Sequence, residues 1–167
     1  HETHGLLEEE LTDDLLSLYE LPTPEQGLAR TIKDIPEIVA SLGFPIIAKI
    51  SSPDILHKTD VGGVILNIQS IKEAEDAWKS ITNNVHKALP TAALRGILFQ
   101  QQLPIGSEFI IGALRDSSFG PMIMVGLGGI YAELFEDVCF RIAPVEQKEA
   151  LEMLQNKRDS LPAKKHG

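Results

Sequence analysis

The hydrophobic positions in the first half of the chain switch between helical and strand-like spacing. Leucines recur every three or four residues from Leu6 to Leu18, which predicts an amphipathic helix that ends before Pro22. Apolar, β-branched runs at 46–50 and 64–68 predict two short buried strands. Because helices and strands that share one apolar side pack into layers, this half is expected to form an αβ lobe.

Two further helices in this half are marked by residues at their ends. Asp34 stands at the start of a short apolar helix, and Gly43 stands where that helix is expected to stop. Ser70 and Glu73 have the spacing of a capping box in front of a long helix. The apolar face of that long helix carries Ile71, Ala74, Trp78, Ile81 and Val85.

The second half of the chain is richer in strands. Strands are predicted at 96–102, 108–115 and 121–126, a hairpin at 132–143 and a final helix at 145–155. We therefore expect an N-terminal αβ lobe at 1–92, a second lobe at 93–156 and a loose tail at 157–167.

Composition and charge narrow the functions that this chain can have. A net charge of −9 over 167 residues argues against a general nucleic-acid or anionic-membrane surface. The single cysteine, Cys139, excludes an internal disulfide and fits a reducing compartment, so a cytoplasmic protein is expected. No apolar run approaches the roughly 20 residues of a membrane helix, and no secretory signal is present. An anionic ligand would therefore need a local cationic pocket.

The candidate chemistry is concentrated in the first strand pair and its loop. Lys49 places a charge inside an apolar strand, which is unfavourable unless an anion meets it. The following loop carries His57, Lys58, Gly62 and Gly63, so it offers cations, backbone N–H groups and a nucleophilic imidazole to a phosphoryl group. The alternative is a polar hairpin loop beside a lysine whose ammonium reaches solvent.

Five stretches of the sequence carry a resemblance to a known family. They are 52–64 (Ser-Pro-Asp-Ile-Leu-His-Lys-Thr-Asp-Val-Gly-Gly-Val), 108–112, 115–121, 126–133 and 140–144. Together they resemble the ATP-grasp subunit of ADP-forming acetyl-CoA and acyl-CoA synthetases, which are relatives of succinyl-CoA synthetase. The resemblance implies an α/β (α+β) fold of ATP-grasp type, with an N-terminal αβ lobe and a truncated second lobe.

The resemblance also implies roles for individual residues. In such enzymes a phosphoryl group travels on histidine between a partner's acyl-transfer site and a nucleotide, and His57 matches that histidine. Lys49 matches the lysine that meets the nucleotide phosphates, and Glu108 matches the acid that faces the ribose. The other cofactor-binding candidates are Lys58, Gly62, Gly63, Gln100, Gln102, Gly128, Gly129, Glu133 and Arg141. Simpler alternatives remain: the glycine pair at 128–129 can serve a turn, and Glu133 can be a solvated strand residue.

The resemblance leaves two hypotheses about function. The resemblance implies ATP or ADP with Mg²⁺ as cofactors, and a CoA-binding alpha-type subunit or a fused domain as the partner. The family's downstream Arg-Gly, Asp-x-Asn-Pro and Asp-Ala-Arg elements are not found after Leu154, so the metal ligands stay unassigned. The first hypothesis is therefore a nucleotide-binding subunit or fragment of an acid–CoA ligase. The second is a non-catalytic nucleotide-binding or regulatory remnant of one.

Overall fold

The computed structural model describes residues 9–104, 106–128 and 138–159. Within them the chain is a mixture of helices and antiparallel sheet, and it divides into two compact units after Pro104. The first unit contains α1 (Glu9–Leu18), β1 (Gln26–Ala29), a 3₁₀ turn (Ile32–Asp34), α2 (Ile35–Leu42), β2 (Ile46–Ser51), β3 (Val64–Ile68), α3 (Ile71–Ala88) and β4 (Gly96–Gln101). The second contains β5 (Phe109–Asp116), β6 (Gly120–Leu127), β7 (Val138–Ile142) and α4 (Gln147–Asp159).

The sheet of the first unit has the order β1-β4-β2-β3, and every neighbouring pair is antiparallel. Strand β4 is therefore a central strand that hydrogen-bonds to both β1 and β2. The division between units consequently lies after Pro104 rather than after residue 92, where the sequence placed it. The strand pattern of 96–102 could not show this, because a strand's partners are set by tertiary pairing.

One face of this sheet forms the core with α2 and α3. The inward residues of β2 are Ile46, Ala48 and Ile50, each at most 1% exposed. Ile47, Lys49 and Ser51 alternate with them and are half-buried. Because successive side chains of a strand point to opposite faces, Lys49 lies on the face away from the two helices. Lys49 thus belongs to the predicted strand but lies outside its core-facing row.

The ends of α2 and α3 lie where the sequence predicts them, but the carboxylate of Asp34 has a different role. Gly43 ends α2 with φ of +71°, and the Ser70 hydroxyl accepts a 3.2 Å hydrogen bond from the Glu73 N–H at the start of α3. Asp34 precedes α2 as predicted, but its carboxylate accepts hydrogen bonds from the N–H groups of Thr31 and Arg30. The Thr31 bond is the main cause that lowers the pKa of Asp34. Asp34 thus stabilises the turn before the helix.

The second unit contains a three-stranded sheet of order β5-β6-β7. Strand β7 lies within the segment predicted as a hairpin at 132–143, while residues 129–137 lie outside the described part of the chain. Helix α4 runs to Asp159, and Lys157 is 8% exposed, so the predicted tail at 157–167 begins inside this helix. Within the described residues, no helix is long and apolar enough to cross a membrane.

Candidate functional site

Lys49 belongs to a line of polar side chains on the outer face of the first sheet. Its ammonium donates a 2.6 Å hydrogen bond to the amide oxygen of Gln100. The Gln100 amide nitrogen donates at 3.1 Å to the amide oxygen of Gln26, whose own amide nitrogen donates to the carboxylate of Asp13. Two predicted site residues, Lys49 and Gln100, are thus brought into contact.

Strand register explains why these side chains meet. Gln26 of β1 and Ile47 of β2 both stand directly opposite Gln100 of β4. Lys49 is two residues beyond Ile47, so it shares that face and lies diagonal to Gln100, within reach of a long side chain. Sequence reasoning missed Gln26 and Asp13, because the pairing that joins β1 to β4 is long-range.

Gln102, also predicted to bind the cofactor, has a different position. Its side-chain oxygen accepts a 2.7 Å hydrogen bond from the Asn67 N–H, and its own N–H donates to the Pro45 carbonyl. Asn67 adopts a φ of +57°, a conformation uncommon for residues other than glycine. Gln102 thus connects the ends of β2, β3 and β4, and its nucleotide-binding role stays a prediction.

The loop between β2 and β3 presents His57 to solvent. Ile55, two residues earlier, is 6% exposed and belongs to the hydrophobic core. Val61, four residues later, packs against the same core. His57 is exposed and Lys58 beside it is half-buried. The loop is therefore fastened on both sides of an accessible imidazole.

Gly63 fastens the returning end of this loop to strand β2. The Ile50 N–H donates a 2.8 Å hydrogen bond to the Gly63 carbonyl. A Cβ atom added at Gly63 would lie 2.6 Å from Cγ2 of Ile50 and 2.8 Å from the Lys58 carbonyl oxygen. Only glycine allows so close an approach of the backbone to the strand.

The two loop glycines use their N–H groups inside the loop. The Gly62 N–H donates to the Thr59 carbonyl at 3.0 Å, and the Gly63 N–H donates to the Lys58 carbonyl at 2.8 Å. Gly62 also has a φ of +63°, which suits a turn. The two N–H groups are therefore used within the loop in this conformation, and the role of the glycines in nucleotide binding stays a prediction.

Both ends of the loop lie beside Lys49. The loop leaves β2 after Ser51, and Val64, the first residue of β3, stands directly opposite Lys49. The ammonium and the imidazole thus belong to one continuous strand–loop–strand segment of the first unit.

In the second unit, the structure brings Glu108 and Gly128 together. The Gly128 N–H donates a 2.7 Å hydrogen bond to the Glu108 carbonyl, and a Cβ at Gly128 would lie 2.9 Å from Cβ of Glu108. The Glu108 side chain is exposed beside this contact. Gly129 and Glu133 lie outside the described residues.

Arg141 lies on β7 and is exposed. Its guanidinium donates a 2.9 Å hydrogen bond to the Phe140 carbonyl. It lines an open hollow of about 390 Å³ whose other lining residues are Phe119, Met122, Phe140, Ile142 and Glu149. This setting is more apolar than a phosphate site requires, and the predicted role of Arg141 at the phosphate end stays a prediction.

Among residues 9–104, 106–128 and 138–159, no three His, Cys, Asp or Glu side chains come together to hold a metal ion. Mg²⁺ is usually held by one or two carboxylates together with substrate phosphates and water, so its protein ligands stay unassigned.

Comparison with known proteins identifies relatives along almost the whole chain. The family model of the ATP-grasp domain matches residues 1–165. The beta subunit of an ADP-forming acetate–CoA ligase I from Pyrococcus furiosus is 42% identical over 154 residues, which cover 92% of this chain and 66% of that subunit.

Solved structures give the same result. Dinucleotide-forming acetyl-coenzyme A synthetase 1 of Ca. Korarchaeum cryptofilum, in complex with coenzyme A, Ca-AMPCP and HgCl⁺, is 40% identical with a TM-score of 0.86. The match covers 92% of this chain and 67% of that one. A selenomethionine form of the same enzyme holds coenzyme A and Mg-AMPPCP, with its phosphohistidine segment pointing towards the nucleotide binding site. That form has 38% identity and a TM-score of 0.71, and the match covers 92% of this chain and 64% of that one.

The chain thus spans about two thirds of the length of the relatives it matches. The expected α/β (α+β) fold of ATP-grasp type is confirmed by the mixed architecture and by these matches. On this evidence the chain belongs to the ATP-grasp domain family.

Proposed function

We propose that this chain is the nucleotide-binding part of an ADP-forming acid–CoA ligase, in which a phosphoryl group passes between His57 and ADP or ATP. One observation carries the proposal: an exposed histidine on a loop fastened at both ends, whose two ends flank Lys49 in the sheet. The Korarchaeum relative, in which a phosphohistidine segment points towards the nucleotide site, supports this assignment.

The chemistry divides between the loop and the cationic strand. In the first step the neutral imidazole of His57 attacks phosphorus, a P–N bond forms, and the P–O bond to the phosphoryl donor breaks. In the second step a β-phosphate oxygen of ADP attacks, the P–N bond breaks, and ATP and neutral imidazole result. Phosphoryl transfer depends mainly on positioning and charge neutralisation, and the Lys49 ammonium supplies positive charge for the nucleotide phosphates.

The remaining site residues are assigned from the family resemblance. By that resemblance Glu108 is proposed to face the ribose, and the Gln100–Gln102 segment is proposed to lie along the adenine edge. Further candidate nucleotide-binding residues on the same ground are Lys58, Gly62, Gly63, Gly128, Gly129, Glu133 and Arg141. Mg²⁺ is expected to accompany the nucleotide and to neutralise phosphate charge.

The proposed enzyme needs a second polypeptide or a fused domain. The Pyrococcus relative is named as a beta subunit, and the Korarchaeum structures contain coenzyme A. We assign CoA binding and acyl transfer to an alpha-type partner, in the reducing cytoplasm that the free Cys139 suits. The isolated chain is therefore expected to form no acyl-CoA.

A second function, a non-catalytic nucleotide-binding or regulatory module, is favoured by one observation. The described residues contain no group of three His, Cys, Asp or Glu side chains that could hold a metal ion. This alternative retains nucleotide binding at Lys49 but no phosphorylation of His57.

A labelling experiment separates the two functions. The chain is mixed with acyl-CoA, radiolabelled phosphate and the CoA-binding subunit of a relative, without ADP, and quenched in alkali, in which phosphohistidine persists. We expect label on the wild-type chain and on His86→Asn, an exposed histidine of α3, but none on His57→Asn. Persistent label on His57→Asn excludes His57 as the acceptor, while label confined to the partner favours the non-catalytic module.

A further inference from the structure

The amide relay, defined here as the hydrogen-bonded series Asp13–Gln26–Gln100, ends at the ammonium of Lys49. We propose that Asp13 and Gln26 are positioning residues that hold Lys49 for a nucleotide phosphate. The inference rests on the proposed function for the identity of the ligand. The relay geometry itself rests on the described contacts of the first unit.

The chemistry at the two ends fixes the direction of every bond in the relay. An ionised carboxylate only accepts hydrogen bonds, so Gln26 must turn its NH₂ group towards Asp13. The Gln26 oxygen then faces the Gln100 NH₂ group, which leaves the Gln100 oxygen to face Lys49. The ammonium only donates, so the other end requires the same orientation. The two amide orientations, which are often ambiguous, are therefore determined here by their neighbours.

The relay also places the negative charge at a useful distance from the lysine. Two neutral amides separate the Asp13 carboxylate from the ammonium along this relay, and Coulomb attraction falls with separation. The group through which the relay contacts the ammonium is therefore a neutral amide oxygen.

The burial of the relay supports a positioning role. Asp13, Gln26, Lys49 and Gln100 are all partly buried, and their bonds link α1 to strands β1, β4 and β2. A lysine with four rotatable bonds loses much rotamer freedom when it is fixed. If the relay has already fixed Lys49, less of that entropy is lost when nucleotide binds.

The test breaks the first bond of the relay with one substitution and rebuilds it in the opposite direction with a second. In Gln26→Glu, the donor to Asp13 is lost and two carboxylates face each other, so their repulsion moves the new carboxylate away from Asp13 and from its place beside the Gln100 NH₂ group. In the double variant Asp13→Asn with Gln26→Glu, the new Asn amide donates to the new carboxylate, which still accepts from the Gln100 NH₂ group. The double variant therefore restores the orientation of Gln100. Asp14→Asn, an exposed acid on the same helix, is the matched control.

The first readout is the reactivity of Lys49 towards trace acetic anhydride, measured by mass spectrometry against Lys148, whose side chain is 87% exposed. Circular dichroism verifies folding of each variant. We expect Gln26→Glu to raise the relative labelling of Lys49 about fivefold, the effect of losing about one net hydrogen bond. The double variant and Asp14→Asn should return to the wild-type value. Unchanged labelling in folded Gln26→Glu, or no recovery in the double variant, overturns the relay.

The second readout is protection of Lys49 by ADP with Mg²⁺, together with the dissociation constant. We expect Gln26→Glu to weaken binding by a similar factor of about five, and the double variant to recover it. Suppose that ADP protects Lys49 in the wild-type chain and that folded Gln26→Glu binds ADP with the same dissociation constant. That result refutes positioning by the relay but leaves the proposed function intact. If ADP with Mg²⁺ never protects Lys49 in the wild-type chain, nucleotide is not the ligand of this lysine and the proposed function is refuted.

Discussion

Gly63 lies against Ile50, with its carbonyl oxygen 2.8 Å from the Ile50 nitrogen and no space for a side chain between them. This contact closes the loop that carries His57 onto the strand that carries Lys49. A residue without a side chain thus fastens the loop that carries His57 to strand β2.

Replacement of Gly63 by alanine is expected to lower the free energy of unfolding by about 1–3 kcal/mol, as for other overpacked sites. The added methyl would stand 2.6 Å from Cγ2 of Ile50 and 2.8 Å from a backbone oxygen. Urea unfolding measures the change. Gly106→Ala, where no atom lies within 4 Å of the added Cβ, is the control and should remain near the wild-type value. Equal stability of both variants would contradict the close approach.

The anchoring of the loop predicts that substitutions at two neighbouring positions differ strongly in their effect on stability. Ile55 is 6% exposed and Leu56 is 66% exposed. We expect Ile55→Ala to lower stability by about 2–5 kcal/mol, because it leaves a cavity in the core. Leu56→Ala should change stability by no more than about 0.5 kcal/mol. The midpoints of chemical unfolding compare the two, and similar losses would show that the loop is not fastened at Ile55.

Nucleotide binding is predicted to depend on Lys49. A ligand at a hundred times its dissociation constant stabilises the folded chain by about 2.7 kcal/mol, so ADP with Mg²⁺ should raise the melting temperature. Lys49→Met retains most of the apolar stem and removes the charge, and it should weaken binding about ten- to hundredfold. Lys148→Met, at an exposed lysine, should bind like the wild-type chain. The absence of any shift with millimolar nucleotide and folded protein would refute the proposal for this chain.

The turn before α2 is predicted to give an acid-sensitive contribution to stability. Hydrogen bonds, first from the Thr31 N–H and also from the Arg30 N–H, lower the pKa of Asp34 in the folded chain. Because the folded pKa is below the unfolded value of about 3.9, the contribution is fully present above that value. It is lost as pH falls through the folded pKa. Asp34→Asn should therefore be less stable than wild type at pH 7 and approach it below about pH 4.

Unfolding midpoints of wild type and Asp34→Asn between pH 2 and 7 measure this convergence. Asp14→Asn, at an exposed acid, controls for the change in net charge. A stability difference that stays constant to the lowest pH would exclude ionised Asp34 as its source.

The sequence by itself determined the local elements of the first unit. The helix at 35–42, the strands beginning at Ile46 and Val64, and the capping box at Ser70 all occur as predicted. These features depend on side-chain period, on backbone preferences and on hydrogen bonds within a few residues, so they can be inferred locally. The long motif at 52–64 also indicated the family, because its residue order is specific.

Tertiary structure decided what the local pattern left open. The place of β4 at the centre of the first sheet, the outward face of Lys49 and its bond to Gln100 all follow from pairing between distant strands. The loop glycines likewise satisfy their own turn, and Gly63 fits against a strand that precedes the loop. The sequence could name His57, Lys49 and Gln100, but only the antiparallel register could place Gln26 and Asp13 in line with them, because register is set by the burial of the whole sheet.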